Sequence, residues 1–140
     1  MPHDPGPYPT ILQTVLDTTD PRGLAEFYRE LFGLHYRPGD EAPGDGPDDP
    51  DWLVLLDAAG SRRLAFQLVD RLEPTTWPAP DVPMQLHLDC TVADVDELQR
   101  HRARAESLGA GLLLDRVDDP EEPLSVLADP SGHPFCLFVG

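Results

Sequence analysis

Four polar residues, Gln13, Gln67, His87 and Cys136, with Asp89 two residues beyond His87, carry the chemistry this chain offers. A neutral imidazole can ligate a metal or act as a base near pH 7, so His87 is the candidate general base. A Cys136 thiolate could join it on zinc, or attack as a nucleophile if a neighbouring base lowered its pKa. Left protonated, Cys136 is simply a small buried apolar residue. Gln13 and Gln67 are amides that must be hydrogen-bonded where buried. Their partners could be a ligand, each other through water, or His87 in one tautomer. Asp89 could orient His87, take a cationic ligand group, or lie in solvent at a sheet edge.

The elements that position these residues follow from periodicity. Met84 to Val92 reads MQLHLDCTV. Gln85, His87, Asp89 and Thr91 alternate with Leu86, Leu88, Cys90 and Val92, as in a strand with two unlike faces. Asp94 then caps a helix with a thin stripe of Val95, Leu98, Ala105 and Leu108, ended by Gly109. The same grammar occurs earlier. Thr10 to Asp17 alternates, and Asp20 followed by Pro21 starts a helix. Its stripe is Leu24, Phe27, Tyr28 and Leu31, and Gly33 ends it. Short strands are expected near Leu34–Arg37, Trp52–Asp57 and Leu64–Val69 in the first half, and near Leu112–Leu114, Leu124–Ala128 and Phe135–Val139 in the second.

The order β-α-β-β-β thus occurs twice. A shift of 74 carries Asp20 onto Asp94 and Gln13 onto His87, and Asp57-Ala-Ala-Gly matches Asp129-Pro-Ser-Gly. With a three-residue difference after that turn, Gln67 falls on Cys136. The expected fold is α+β, two βαβββ modules forming a curled eight-stranded cup with the helices outside. Residues 1–9 form a flexible arm, 10–70 the first module, 71–83 a Pro-rich linker and 84–140 the second module, so that 10–140 make one domain. Strand parity puts Gln13, Val15, Gln67, Val69, His87, Asp89, Cys136 and Phe138 on the cup face, with Trp52 as a further ligand-stacking wall. Apolar walls with a few convergent polar groups suit a small molecule. The one charged member is acidic, so a neutral or cationic ligand is expected. Both helix N-termini carry Asp caps that compete with an anion.

Composition narrows the partners. The formal charge is −16, from 26 acidic residues against ten arginines and no lysine. Nucleic acid and anionic membrane surfaces reward basic patches, and neither is an expected partner. No apolar run approaches the ~20 residues of a membrane helix, and MPHDPGPYPT lacks the basic and apolar regions of a secretory signal. Two cysteines make no disulfide scaffold, so a cytoplasmic protein is expected. Six of the acidic residues lie in the Pro-, Gly- and Asp-rich stretch 38–51, an exposed loop that says nothing about the pocket.

PMQLHLDCTV, SLGA and DPSGHPFCL, in this order and spacing on paired βαβββ halves, resemble the vicinal oxygen chelate (VOC) superfamily. The nearest likeness is to its glyoxalase-like and bleomycin-resistance-like branch of the actinobacterial type. The resemblance spans roughly residues 10 to 139. It implies that the four symmetry-related positions are those that hold a divalent metal in metal-dependent members. His87 matches such a position, Gln13 and Gln67 match positions where Gln is tolerated, and Cys136 stands where a Glu is usual. One imidazole, one thiol and two neutral amides are a poor set for zinc. The expectation is therefore a protein that binds a small organic molecule in the inter-module cup, without a cofactor or a tightly bound catalytic metal. If a metal did bind, its ligands would be His87, Cys136, Gln13 and Gln67. Two alternatives stand: a metal-dependent lyase, isomerase or dioxygenase, and a metal-free enzyme using His87 as general base. A sheet that forms a cup leaves edges to cover, and a homodimer is expected.

Overall fold

The computed structural model describes residues 6–140. The expected arm lies partly outside them; from Gly6 to Gln13 the chain forms neither helix nor strand. The elements then run β1 (Thr14–Thr18), α1 (Pro21–Phe32), β2 (His35–Tyr36), β3 (Trp52–Leu56), β4 (Arg62–Leu68), β5 (Leu88–Val92), α2 (Val95–Ser107), β6 (Gly111–Arg116), β7 (Leu124–Ala128) and β8 (Pro134–Val139). They form two four-stranded sheets, ordered β1-β4-β3-β2 and β5-β8-β7-β6. In each, the first and last strands of the module run parallel and the remaining pairs are antiparallel. The fold is α+β, built from two copies of one βαβββ module.

Helix α1 forms for the reasons its sequence gives. The Asp20 carboxylate accepts from the Gly23 N–H at 3.1 Å, and Pro21 occupies the first turn. Gly33 closes the helix at φ 66°, a left-handed conformation that favours glycine. Helix α2 is capped by Asp94, which accepts from the Glu97 N–H at 2.8 Å, and it buries only Leu98 and Ala105.

Both edge strands are shorter than their alternation, starting at Thr14 rather than Thr10 and at Leu88 rather than Met84. The reason is the partner strand. Thr14 pairs with Leu64 and Leu88 with Phe135, each close to the beginning of the neighbouring strand. Residues before them have nothing to pair with.

The two modules share one core. Leu16, Leu53, Leu55, Leu64 and Phe66 of the first sheet belong to the same buried cluster as Leu127, Phe135 and Leu137 of the second. Tyr28, fully buried, joins them: its ring centroid lies 5.9 Å from that of Phe66 and 6.2 Å from that of Phe135. The helix-bearing faces of the two sheets are therefore turned toward one another. Polar bonds fix the arrangement. The Tyr28 hydroxyl donates to Asp129 Oδ2 at 2.7 Å, and Thr18 Oγ1 and Ser131 Oγ share a bond of 2.8 Å. His133 Nε2 donates to the Asp17 carbonyl at 2.6 Å, and Arg104 to the Glu30 carbonyl at 2.9 Å.

The acidic stretch after β2 is tied down rather than loose. Arg22 binds both Asp48 carboxylate oxygens, at 2.8 and 3.0 Å, and the Asp40 carbonyl at 2.8 Å. Its guanidinium lies 4.9 Å from the Tyr36 ring centre. The Asp40 side chain accepts from the Val54 N–H at 2.9 Å.

Candidate functional site

The faces opposite the shared core carry the candidate site residues. On the second sheet, Asp89 lies across the ladder from Cys136, and Phe138 across from Thr91. His87 precedes β5 on the side of Asp89, with Nε2 3.1 Å from Asp89 Oδ1. Both side chains are about half open to solvent. His87, Asp89, Cys136 and Phe138 thus form one cluster, with Val126 beside Cys136.

On the first sheet, Val15 pairs with Ala65 and Asp17 with Gln67, while Trp52 pairs with Gln67 from the other side. Val69 follows β4, its N–H bonded to the Thr18 carbonyl at 2.9 Å. Gln13 lies just before β1, its Oε1 buried without a hydrogen-bond partner. Val15, Trp52, Gln67 and Val69 therefore share one surface, with Gln13 at its end. Because the helix-bearing faces look inward, the two clusters open on the outer sides of the chain.

The ladders correct one step of the internal alignment. In both modules the turn closes alike, Asp57 N–H to the Ser61 carbonyl at 2.9 Å and Asp129 N–H to the His133 carbonyl at 2.8 Å. A bulge then breaks the register between Leu55 and Leu56, where Leu56 faces Arg62 and Leu55 faces Leu64. It inserts one extra residue, Arg63, rather than three. Ala65 is consequently the counterpart of Cys136, and Gln67 that of Phe138. The first sheet offers no donor where the second offers its thiol.

Electrostatics disfavours a reactive thiol. Burial pushes the Cys136 pKa up, and the Asp89 and Glu122 carboxylates add to the shift. Burial likewise raises Cys90, on the core side, to about 12. The four symmetry-related positions thus offer one imidazole already facing a carboxylate, one protonated thiol, the single amide of Gln13 and no donor at Ala65, a set that does not suit a hard divalent ion. Among the described residues no group of three or more His, Cys, Asp or Glu is placed to hold a metal ion.

Two clefts lie where β1 runs beside the second module. One, of about 350 Å³, is bounded by Val15, Asp17, the linker and His133. The other, of about 370 Å³, joins the starts of β1 and β4 to β5 and includes Gln13, Asp89, Arg62 and Arg63. The two arginines escape the parity argument because Ala59-Gly60-Ser61-Arg62 reads as a turn and the strand is expected only from Leu64; β4 instead starts at Arg62, with the bulge at Arg63, and both residues line this cleft.

A shared core, paired βαβββ modules and polar residues on the outer sheet faces define the vicinal oxygen chelate architecture. The chain matches the family model of the glyoxalase-like domain over residues 13–138 and belongs to that family. A comparison with curated proteins finds no match. Among solved structures it is similar to a glyoxalase/bleomycin resistance protein/dioxygenase family enzyme from Burkholderia phytofirmans, with 15% identity, 91% of this chain and 96% of that one covered, and a TM-score of 0.66. It is also similar to a glyoxalase-related enzyme from Fulvimarina pelagi, at 20% identity, 94% and 88% coverage and a TM-score of 0.65. A mutant fosfomycin resistance protein, FosX, from Listeria monocytogenes, complexed with Mn(II) and a dihydroxypropylphosphonic acid, is 18% identical, with 94% and 90% coverage and a TM-score of 0.64. These likenesses support the fold. No described helix is long and apolar enough to cross a membrane.

Proposed function

We propose that the protein binds a small organic molecule on the outer sheet faces and works without a tightly held catalytic metal. The observation that carries this reading is the composition of those faces. Phe138, Val126 and Cys136 on one sheet and Val15, Trp52 and Val69 on the other are apolar, each set with one or two polar groups among them. Apolar walls with few polar groups favour a ligand over an ion. His87 and Asp89 would orient it on the second sheet, and Gln13 and Gln67 on the first.

In one copy the two faces open apart, so a cup lined by both needs a second copy of the chain. Leu68, Leu86 and Leu112 are exposed apolar residues, and β1 and β5 are edge strands, all of which a homodimer would cover. Light scattering at high micromolar concentration should give twice the chain mass; a monomer would remove the shared cup.

The His87–Asp89 contact supports a second reading, a metal-free enzyme. A carboxylate that orients the imidazole through Nε2 leaves Nδ1 as a base. One experiment addresses both. A library of neutral and cationic aromatic metabolites is screened by thermal shift on the wild type, His87→Ala and Phe138→Ala. Hits should lose their shift in both variants. A hit that survives both binds elsewhere and refutes the face assignment. A hit that binds His87→Ala normally but is converted only by the wild type selects the enzyme.

A further inference from the structure

We infer that the cleft joining the starts of β1, β4 and β5 is a binding site for a small organic carboxylate with an apolar body and a hydroxyl or amine donor. It rests on the ligand reading above to the extent that Gln13 and Asp89 belong to both. At about 370 Å³ it has the size of a small-molecule pocket. Phe32, Leu34, Leu64 and Leu88 line it with the margin of the shared core. Ile11 and Leu12 stand at its rim, 94% and 61% exposed, and a ligand with an apolar body would take that surface out of water.

Charge identifies the other end of the ligand. Six of the ten arginines bind a carboxylate or a backbone carbonyl: Arg22, Arg29, Arg37, Arg100, Arg102 and Arg104. Arg62 is half-buried and, among the described residues, is the one half-buried arginine without such a partner. Arg63 beside it has only Asp57, at 4.0 Å. In a chain carrying 26 acidic residues, a guanidinium left unpaired in a cleft is a place for a carboxylate from outside. Asp89, on the far side of the cleft and facing His87, repels an anion there and so orients the ligand's carboxylate toward Arg62 and Arg63.

Gln13 supplies the third element. Its Oε1 is buried with no donor, and a buried acceptor without a partner is costly. Gln13 precedes β1, which lies between β4 and the cleft wall from β5. Gln13 lines the cleft, and rotation of its side chain out of the buried position would bring the amide oxygen to a hydroxyl or amine next to the ligand's carboxylate. The sequence alone points to a neutral or cationic ligand because parity omits the bulge residue; the two arginines reverse that expectation at this end of the molecule.

The test uses phenyllactate and its neutral isostere phenyllactamide, titrated calorimetrically into the full chain. Phenyllactate should bind at least about tenfold more tightly than the amide, as expected for a charge-assisted bond to guanidinium. The Arg62→Gln/Arg63→Gln variant should abolish that preference, Gln13→Leu should weaken phenyllactate by about tenfold, and Arg116→Gln, an exposed charge control on β6, should change neither. Circular dichroism establishes that each variant is folded. Equal binding of acid and amide, no binding of either, or full binding by the double arginine variant overturns the inference. Binding that survives the arginine changes but is lost in Phe138→Ala also overturns it, yet upholds the face reading of the previous section.

Discussion

Replacing Tyr28 by Phe removes one oxygen atom from the centre of the molecule and tests how the two modules are held together. The Tyr28 hydroxyl, fully buried, donates to Asp129 Oδ2 at 2.7 Å. The other oxygen, Oδ1, accepts the Ser131 and His133 N–H groups at 2.8 and 3.0 Å. Asp129 is itself only 3% exposed, so Oδ2 has no water to turn to. A hydrogen bond to a charged buried group contributes about 1.5–3 kcal/mol, and the loss should be about 2–3 kcal/mol because the carboxylate is left unpaired. For 140 residues the unfolding entropy is about 0.3 kcal/mol/K, so Tm should fall by roughly 7–10 °C. The loss should also depend on pH. Burial raises the Asp129 pKa from its ordinary value, and the Tyr28 bond offsets part of that rise. A raised folded-state pKa means a stabilising contribution present below the unfolded value and lost as pH rises through the folded one. Without Tyr28 the folded value climbs further, so the variant should lose most at neutral pH and less in acid. Scanning calorimetry of wild type and variant at about pH 7.5 and about pH 4.5 reads both effects. In Asp129→Asn, which has no buried charge to strand, Tyr28→Phe should cost less, giving a coupling of about 1 kcal/mol or more. A Tm change below about 2 °C, or a loss independent of pH, would refute the charge-assisted bond.

Three further perturbations probe the frame around the site. Arg22→Ala should free the stretch 38–51, which Arg22 holds through Asp48 and Asp40, and hydrogen exchange there should accelerate while α1 stays protected; Arg22 holds the Asp48 pKa below the usual range, so the wild-type loop should loosen only as pH falls through that lowered value. Gly132→Ala should cost about 1–3 kcal/mol, since Gly132 has φ 96° and a Cβ there would stand 2.5 Å from Pro74 Cβ; Trp77 fluorescence should report the displaced linker together with a lower Tm. Cys136→Glu should tighten Mn(II) binding by about tenfold or more, because it places a hard oxygen donor opposite Asp89 and on the face of His87; calorimetry showing no gain would contradict that placement.

What could be read in the sequence was local. Asp20-Pro21 and Asp94 gave both helix starts because a cap is decided within three residues of chain. The shift that carries Gln13 onto His87 also carries β1 onto β5 residue for residue, Thr14–Thr18 onto Leu88–Val92. Element identity and order, and hence the family, followed from that repeat. What could not be read depended on partners distant in the chain. The alternation beginning at Thr10 and Met84 is genuine, yet a strand exists only where a neighbour bonds it, and both neighbours begin too late. The bulge at Arg63 moved Gln67 by two positions relative to Cys136 and exposed a pair of arginines that parity had no means to place. The bond that ties Tyr28 to Asp129 across the two modules joins residues 101 positions apart and carries no local signature.

That back-to-back packing separates two kinds of binding by their dependence on protein concentration. The cleft beside β1 takes Gln13, Arg62 and Arg63 from the first module and Asp89 and Leu88 from the second, all within one chain. A ligand held there needs no second copy. The outer faces are different: His87 and Phe138 look out on one side and Gln67 and Trp52 on another, so a ligand enclosed by both sets must recruit a partner. Binding linked to association weakens on dilution, while binding within a chain does not. Phenyllactate affinity should therefore be unchanged on dilution of the protein, whether or not the proposed homodimer dissociates. A ligand that loses its affinity in Phe138→Ala should lose it over the same dilution range. Fluorescence titrations at a series of protein concentrations, with the dimer fraction followed by sedimentation, make the comparison directly. Parallel loss of both ligands on dilution would mean that the cleft also depends on the second copy; two dilution-independent affinities would mean that the faces need no partner.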